Sequence, residues 1–380
     1  MHLCHIIFFI NYNDIKMAQY KHFSSVQDLT LPYNKFLEID FQFVDSGEKS
    51  GDAIAFRYGD LSNSGSQRII LIDGGTMDSG QQLVDLVRST YGTDKVDLVI
   101  STHPDSDHTS GLRLVIDKLK VGELWMHRPW DHSEYIRHLF HDGRITDDSL
   151  EERIRNEYDF AHQLEAIALK KGINIREPFA GRQFDNGVIT VLGPSVDYYR
   201  SLIPQFTRTP EAKTAVGKAI SGIKEAINWI RESLDIETLD ESGETSAENS
   251  SSAVVLFSFY ENKHLFTGDA GIPALRNVIE YSKANGINLS DLQFFQVPHH
   301  GSRRNVSPFI LDEIRAKTAF VSASIESPKH PSKKVTNALY RRHTEVYSTQ
   351  GASICHRKNS PLRNGWYEAN KHPFYELVEE

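Results

Sequence analysis

The chain of 380 residues has only two cysteines, Cys4 and Cys355. Two thiols so far apart exclude a disulfide framework, and the expected compartment is a reducing cytoplasm. Long apolar runs are also missing. The stretch HIIFFI (5–10) has six residues, too few for a bilayer span or a signal h-region, and no basic segment precedes it. Residues 1–16 are expected to be either a disordered tail or an over-extended start, because MAQYKHF begins at Met17. Positive charge is not in excess. A net charge of −9 and a pI near 6.0 exclude a general polyanion binder. No G-x-S-x-G elbow is present, neither cysteine has a catalytic setting, and VLGPS (191–195) is not a phosphate cradle. A covalent protein nucleophile is therefore not expected.

What is present is ordinary globular composition, 39% hydrophobic and 24% charged. The length fits two domains or one α/β domain with insertions. FLEIDFQFVD (36–45), DAIAFRYG (52–59) and QRIILIDGG (67–75) read as an antiparallel meander separated by turn-rich segments. VDLVIST (96–102) is apolar without alternation, so it reads as a strand buried on both faces. One long helix is expected over 148–171. Residues 196–233 read as a further helical insertion that returns through an acidic, Ser-rich flexible loop. From 253 onward strands and helices alternate to about residue 358, which argues for a layered α/β protein.

The informative stretch is STHPDSDHTSGL (101–112). His103, Asp105, Asp107 and His108 fall within six residues directly after a predicted strand. A rigid strand can hold such a loop while its side chains converge on metal. Neighbouring residues point in different directions, so one loop can serve two metals. Asp73, Asp269 and the pair His299–His300 each close another apolar strand, which with this loop makes four strand ends. Residues just past strand ends gather at one sheet edge, and packing alone does not call for four such ends.

LIDGG, STHPDSDHTSGL, FTGDA and VPHHGS resemble the signature blocks of the metallo-β-lactamase superfamily. The H-x-D-x-D-H form, with Asp105 where many members carry His, is similar to the branch found in the competence protein ComEC and its stand-alone relatives. SGEKSGDAI (46–54), HPS (330–332) and TQGAS (349–353) resemble further blocks of that branch. The resemblance implies an α/β fold, the four-layer αβ/βα sandwich with helical insertions at about 131–171 and 196–250. The hydrolase domain would span 36–358, between an N-terminal tail (1–35) and a C-terminal tail (359–380). It implies a site for two divalent ions, with His103 and Asp105 on one and Asp107 and His108 on the other. Asp269 would bridge them and His300 would complete the second site. His299 is a ligand or a partner of one, and Asp73 is expected to orient the ligand loop. Many members also carry a His before the strand ending in Thr-Gly-Asp; here Glu248, Asn249 and Ser250 stand there instead. The ligand set shifts toward oxygen, which favours Mn²⁺, with Zn²⁺ also open.

Two bound ions activate water and polarise the substrate oxygen, so the expected chemistry is hydrolysis, with Asp107 and His330 as catalytic candidates. Residues 301–370 hold 12 Lys+Arg against 5 Asp+Glu. Arg303, Arg304 and Lys333 are therefore expected to bind an anionic substrate. This reads as a phosphodiesterase or nuclease acting on DNA or RNA. The alternatives are a small-molecule acyl or phosphoester hydrolase and a component of a multi-protein system, such as a defence system, that docks a partner through 196–250. The aromatic residues of WMHRPWDH (125–132) are candidates to wall the site, with packing as their commoner role.

Overall fold

The computed structural model describes residues 5–8, 35–44, 47, 50–140, 144–206 and 228–380. In chain order the strands are β1 (His5–Phe8), β2 (Phe36–Phe41), β3 (Ala53–Gly59), β4 (Arg68–Gly74), β5 (Lys95–Ser101), β6 (Lys120–Met126), β7 (Asn174–Arg176), β8 (Gln183–Phe184) and β9 (Ile189–Gly193). They continue as β10 (Trp229–Arg231), β11 (Val254–Phe259), β12 (Asn262–Phe266), β13 (Leu292–Gln296), β14 (Ala316–Val321), β15 (Glu345–Ser348), β16 (Ser353–Lys358), β17 (Tyr367–Glu368) and β18 (Leu377–Glu379). The helices are α1 (Met77–Asp85), α2 (Ser106–Lys118), α3 (Ser133–Ile136), α4 (Asp147–Glu157), α5 (Asp159–Lys170), α6 (Val196–Leu202), α7 (Ala247–Ser250), α8 (Ile272–Ala284), α9 (Pro308–Glu313) and α10 (Lys333–Arg341).

Two large sheets face each other. One runs β17-β1-β16-β2-β3-β4-β5-β6-β7 and the other β15-β14-β13-β12-β11-β9-β8. Each is antiparallel in one half and parallel in the other. The parallel halves are β4 to β7 and β12 to β15. Alternation along β4 sorts its residues between two cores. Ile70 and Ile72 point between the sheets, where Phe56, Phe266, Phe294 and Phe320 meet. Ile69 and Leu71 point outward to Leu83 and Val84 of α1 and Leu112 and Val115 of α2. On the far side, Leu275 and Val278 of α8 and Val335 and Leu339 of α10 cover the second sheet. The order helix–sheet–sheet–helix is the four-layer sandwich. Burying each large apolar side chain contributes roughly 1.5–3 kcal/mol.

Three expectations need correction. The single helix over 148–171 is two, α4 and α5, because Tyr158 leaves helical geometry (ψ 48) while its ring is buried and its hydroxyl donates to Glu248. Residues 196–233, expected to be helical, hold α6 and a short turn at 203–205 and end in β10 rather than helix, with α7 following in the return segment; the part of that expectation on 207–227 lies outside the described residues. The acidic return segment is also not a free loop. Glu232 pairs with Arg341, Glu237 with Arg342 and Glu241 with Arg276.

The segment 359–380, expected as a tail, is seated on the body. β2 presents Glu38 and Asp40 on its outer face, and both carboxylates are buried. Arg363 bonds both, with Arg57 also on Glu38. Burial would raise the Glu38 carboxyl, but Arg363 and Arg57 outweigh it and hold it below its ordinary value. A buried carboxylate needs such a partner, which fixes the chain there. Within the expected N-terminal tail, residues 5–8 pair with β16 and β17; residues 1–4 and 9–34 lie outside the described residues.

Candidate metal centre

The candidate residues converge where the parallel strands end. Asp73 closes β4, His103 follows β5, Asp269 follows β12, and His299 and His300 follow β13. In parallel α/β sheets this carboxyl edge is where ligands bind. α2 starts at the same edge. Asp105 is its N-cap residue, yet its side chain makes no capping hydrogen bond. That bond is commonly worth about 1 kcal/mol. Its Oδ2 instead lies 3.7 Å from His103 Nε2.

Asp73 sets the orientation of two imidazoles. It is fully buried and its backbone is left-handed (φ 55). Its Oδ2 receives Nδ1 of His108 at 2.7 Å and the Thr102 hydroxyl at 2.6 Å. Because that hydroxyl donates to Asp73, it accepts from His103 Nδ1 at 3.0 Å. Both rings are thus protonated on Nδ1, and both Nε2 lone pairs face the same space. Burial would depress His108, but the carboxylates of Asp269 and Asp73 override it and raise its pKa well above the ordinary value, so a cation held at Nε2 would take the place of a proton there.

VPHHGS supplies the other side. His299 (φ 49) and His300 (φ 57) are both left-handed, a conformation costly for residues with a Cβ. His300 donates Nδ1 to the Ser322 carbonyl at 2.9 Å, which again points Nε2 inward. His299 Nδ1 bonds Asn305 Oδ1 at 2.9 Å.

Asp269 stands at the middle. Its oxygens lie 3.6 Å from His108 Nε2, 3.7 Å from His299 Nε2, 3.9 Å from His103 Nε2 and 4.0 Å from His300 Nε2. Burial alone would raise its carboxyl, yet His299, His108 and His300 hold it well below the usual range. These distances exceed hydrogen-bond range. They suit ligands of one cation, since two donors about 2.1 Å from a tetrahedral ion lie roughly 3.4 Å apart. His103 Nε2, His108 Nε2, His300 Nε2 and Asp269 Oδ1 are buried with no hydrogen-bond partner. Four buried polar atoms without partners would be expensive, and bound cations would satisfy them. Asp107 is brought close to His108 and His300. The donor set therefore fits divalent ions.

The remaining site residues are placed as follows. His330 sits beside the centre, with its ring centroid 5.8 Å from that of His299. Burial first, then His300 and His299, lowers its pKa to about 3, so the ring is neutral. Arg303 and Arg304 line a cavity of about 480 Å³ that His299 and His330 also line. Lys333 does not line it, because its ammonium is held over the rings of Trp229 (4.5 Å) and Tyr375 (5.0 Å). Lys329 lines the cavity instead. Trp125 and Trp130 are buried in packing and leave no ring face for a substrate. Of the residues at the missing-His position, Asn249 approaches His299 at 3.4 Å and Glu248 holds the Tyr158 hydroxyl. Ser250 is buried.

Asp52 is the site carboxylate not singled out from sequence. It is buried, accepts from Gln296 Nε2 at 2.6 Å, and lies 4.0 Å from Nδ1 of both His108 and His300. Burial, with help from Asp269, raises its pKa against the pull of His300 and His108. The available signal was Gly51-Asp52. A Cβ at Gly51 would stand 2.6 Å from the Asp107 carbonyl, so only glycine lets this turn reach α2.

The chain is similar to several known proteins. Recombination protein 2 of Haemophilus influenzae is 32% identical over 106 residues, which is 28% of this chain and 13% of that protein. The chain thus spans about an eighth of the length of that relative. Among solved structures, the metallo-β-lactamase SMB-1 bound to 2-mercaptoethanesulfonate is 10% identical, covering 78% of this chain and 82% of its own, with a TM-score of 0.30. A diphosphatase of the PhnP family is 11% identical over 85% and 98%, with a TM-score of 0.37. CmlA, a diiron β-hydroxylase from Streptomyces venezuelae, is 11% identical over 82% and 49%, with a TM-score of 0.36. The family model described as the metallo-beta-lactamase superfamily matches residues 64–324, most of the chain, and the chain belongs to that superfamily.

Proposed function

We propose that this chain is a metal-dependent phosphodiesterase acting on DNA, RNA or a related phosphodiester. The observation that carries the reading is the joining of two features. Buried donors without partners converge on Asp269, and the adjoining cavity carries Arg303, Arg304 and Lys329. The name of the Haemophilus relative, a recombination protein, is in keeping with a nucleic-acid substrate.

Two divalent ions, Mn²⁺ or Zn²⁺, held by His103, Asp105, Asp107, His108, Asp269 and His300, would supply Lewis acidity and a water acidified enough to attack at neutral pH. His299 either joins them or steadies Asp269. The chain's own residues do the rest. Asp73 and Thr102 keep His103 and His108 in one tautomer, so their Nε2 atoms face the centre. Asp52 and Gln296 brace the other face. Arg303 and Lys329 attract the anionic phosphate. His330, a neutral imidazole, offers one N–H to the leaving oxygen; it does not arrive protonated. We propose 36–358 as the hydrolase unit and a reducing compartment; no helix among the described residues is long and apolar enough to cross a membrane.

The reading is tested with bis-p-nitrophenyl phosphate, a thioester and a lactone, each with added Mn²⁺ or Zn²⁺. Diester cleavage should exceed acyl cleavage, and Asp107→Ala should abolish it while circular dichroism stays unchanged. Acyl hydrolysis without diester cleavage would replace this reading with an acyl hydrolase.

A further inference from the structure

The cavity beside the centre has one wall of opposite charge. Among the described residues β18 pairs only with β10, in the register Trp229↔Glu379, Ile230↔Val378 and Arg231↔Leu377. Val378 is fully buried, and Tyr375 is tied to Asn337 by two hydrogen bonds, so the segment is anchored. It brings Glu379 and Glu380 into the cavity that contains His299, Arg303, Lys329 and His330. The Glu379 carboxylate accepts from the Ser332 hydroxyl and from the Lys333 amide at 3.2 Å. It thereby takes up the first backbone N–H of α10.

Three other cations of the basic field are already engaged. Arg341 and Arg342 are paired with Glu232 and Glu237, and Lys333 is held by aromatic rings. Arg303 and Arg304 also border a second hollow whose other side is the acidic segment with Asp240 and Glu244. The Asp240 carboxyl is held below its ordinary value by the Ser242 hydroxyl and amide, and further by Lys334 and Arg303. What remains is a partly open hollow of about 480 Å³ with cations beside the metal ligands and carboxylates on another wall. Volumes of roughly 300–1,000 Å³ hold small molecules. A uniformly basic groove, as a continuing strand would need, is not what these residues make.

Resting on the phosphodiesterase reading, we infer that Glu379 and Glu380 form an acidic wall that limits the substrate to a small phosphodiester. Such a substrate presents one anionic phosphate and carries a neutral or cationic remainder no larger than a nucleotide. A polyanionic strand running through the cavity would bring its next phosphate against these carboxylates, and like charges so placed select against it.

The test is binding, read by fluorescence anisotropy of a labelled single-stranded 12-mer at fixed salt, with thymidine 5′-monophosphate as the small competitor. Glu379→Gln/Glu380→Gln should tighten 12-mer binding at least tenfold more than it tightens the monophosphate. Glu380→Gln alone changes an exposed side chain, so it is safe for folding, and it should move the ratio in the same direction. Glu151→Gln/Glu152→Gln on α4 makes the same charge change elsewhere and should leave the ratio within threefold. An unchanged ratio in both wall variants would overturn the inference, as would a wild-type protein that binds the 12-mer more tightly than the monophosphate. Failure of the phosphodiesterase reading would show separately, as no hydrolysis of bis-p-nitrophenyl phosphate with metal while the binding ratio still moves.

Discussion

At the scale of single residues, the proposed centre depends on side chains that would not touch a bound cation. Asp73 occupies a strained left-handed position and receives His108 and Thr102 on one oxygen. Asparagine tolerates that backbone, so Asp73→Asn removes the charge without adding strain. It should weaken metal binding about 10–100-fold, the usual cost of losing a carboxylate behind a metal histidine, with the fold intact. Competition with a chromophoric chelator measures it; unchanged affinity would show that Asp73 does not set the imidazoles. The residues in direct view were legible because ligand types clustered after predicted strands: His103, Asp105, Asp107, His108, Asp269, His299 and His300 all meet. Asp52 was less legible, since a Gly-Asp turn looks like any other turn until α2 is seen packed against it. Lys333 misled for a related reason. Charge counts along a chain do not reveal that an aromatic pair holds an ammonium.

At the scale of elements, strands were legible where burial repeats along them, and helices less so. β4 and β5 announce themselves by apolar residues on both faces. The break between α4 and α5 did not, because Tyr158 leaves helical geometry to place its hydroxyl on Glu248, a contact made across 90 residues. The C-terminal segment was unreadable for the same kind of reason: Arg363 is held by carboxylates of β2. β12 carries a further consequence. His264 is fully buried between the sheets, stacked 5.0 Å from Phe257, and burial lowers its pKa to about 3 against an ordinary 6.5. Between those two values the unfolded chain holds a proton that the folded one does not, so stability falls as pH falls, by at most about 1.4 kcal/mol per pH unit. Above pH 6.5 this contribution vanishes. His264→Phe should make urea-unfolding stability less steep between pH 6 and 4 by about one proton. The same slope in the variant would mean that His264 is protonated in the fold.

At the scale of the whole molecule, the sandwich brings distant sequence blocks to one edge. Blocks at 52, 73, 103–108, 269 and 299–300 come together because the parallel halves of both sheets end there. The four-layer fold was legible from strand order and from the signature blocks. The closing of the basic region by Glu232, Glu237 and Glu379 was not, because it depends on how segments beyond those blocks fold back. The central claim is a two-ion centre, and elemental analysis after saturation with Mn²⁺ or Zn²⁺ and removal of free metal tests it most directly. The account predicts about two equivalents per chain, falling to one or fewer in Asp269→Ala. Substoichiometric metal in the wild type, or two full equivalents in Asp269→Ala, would contradict it.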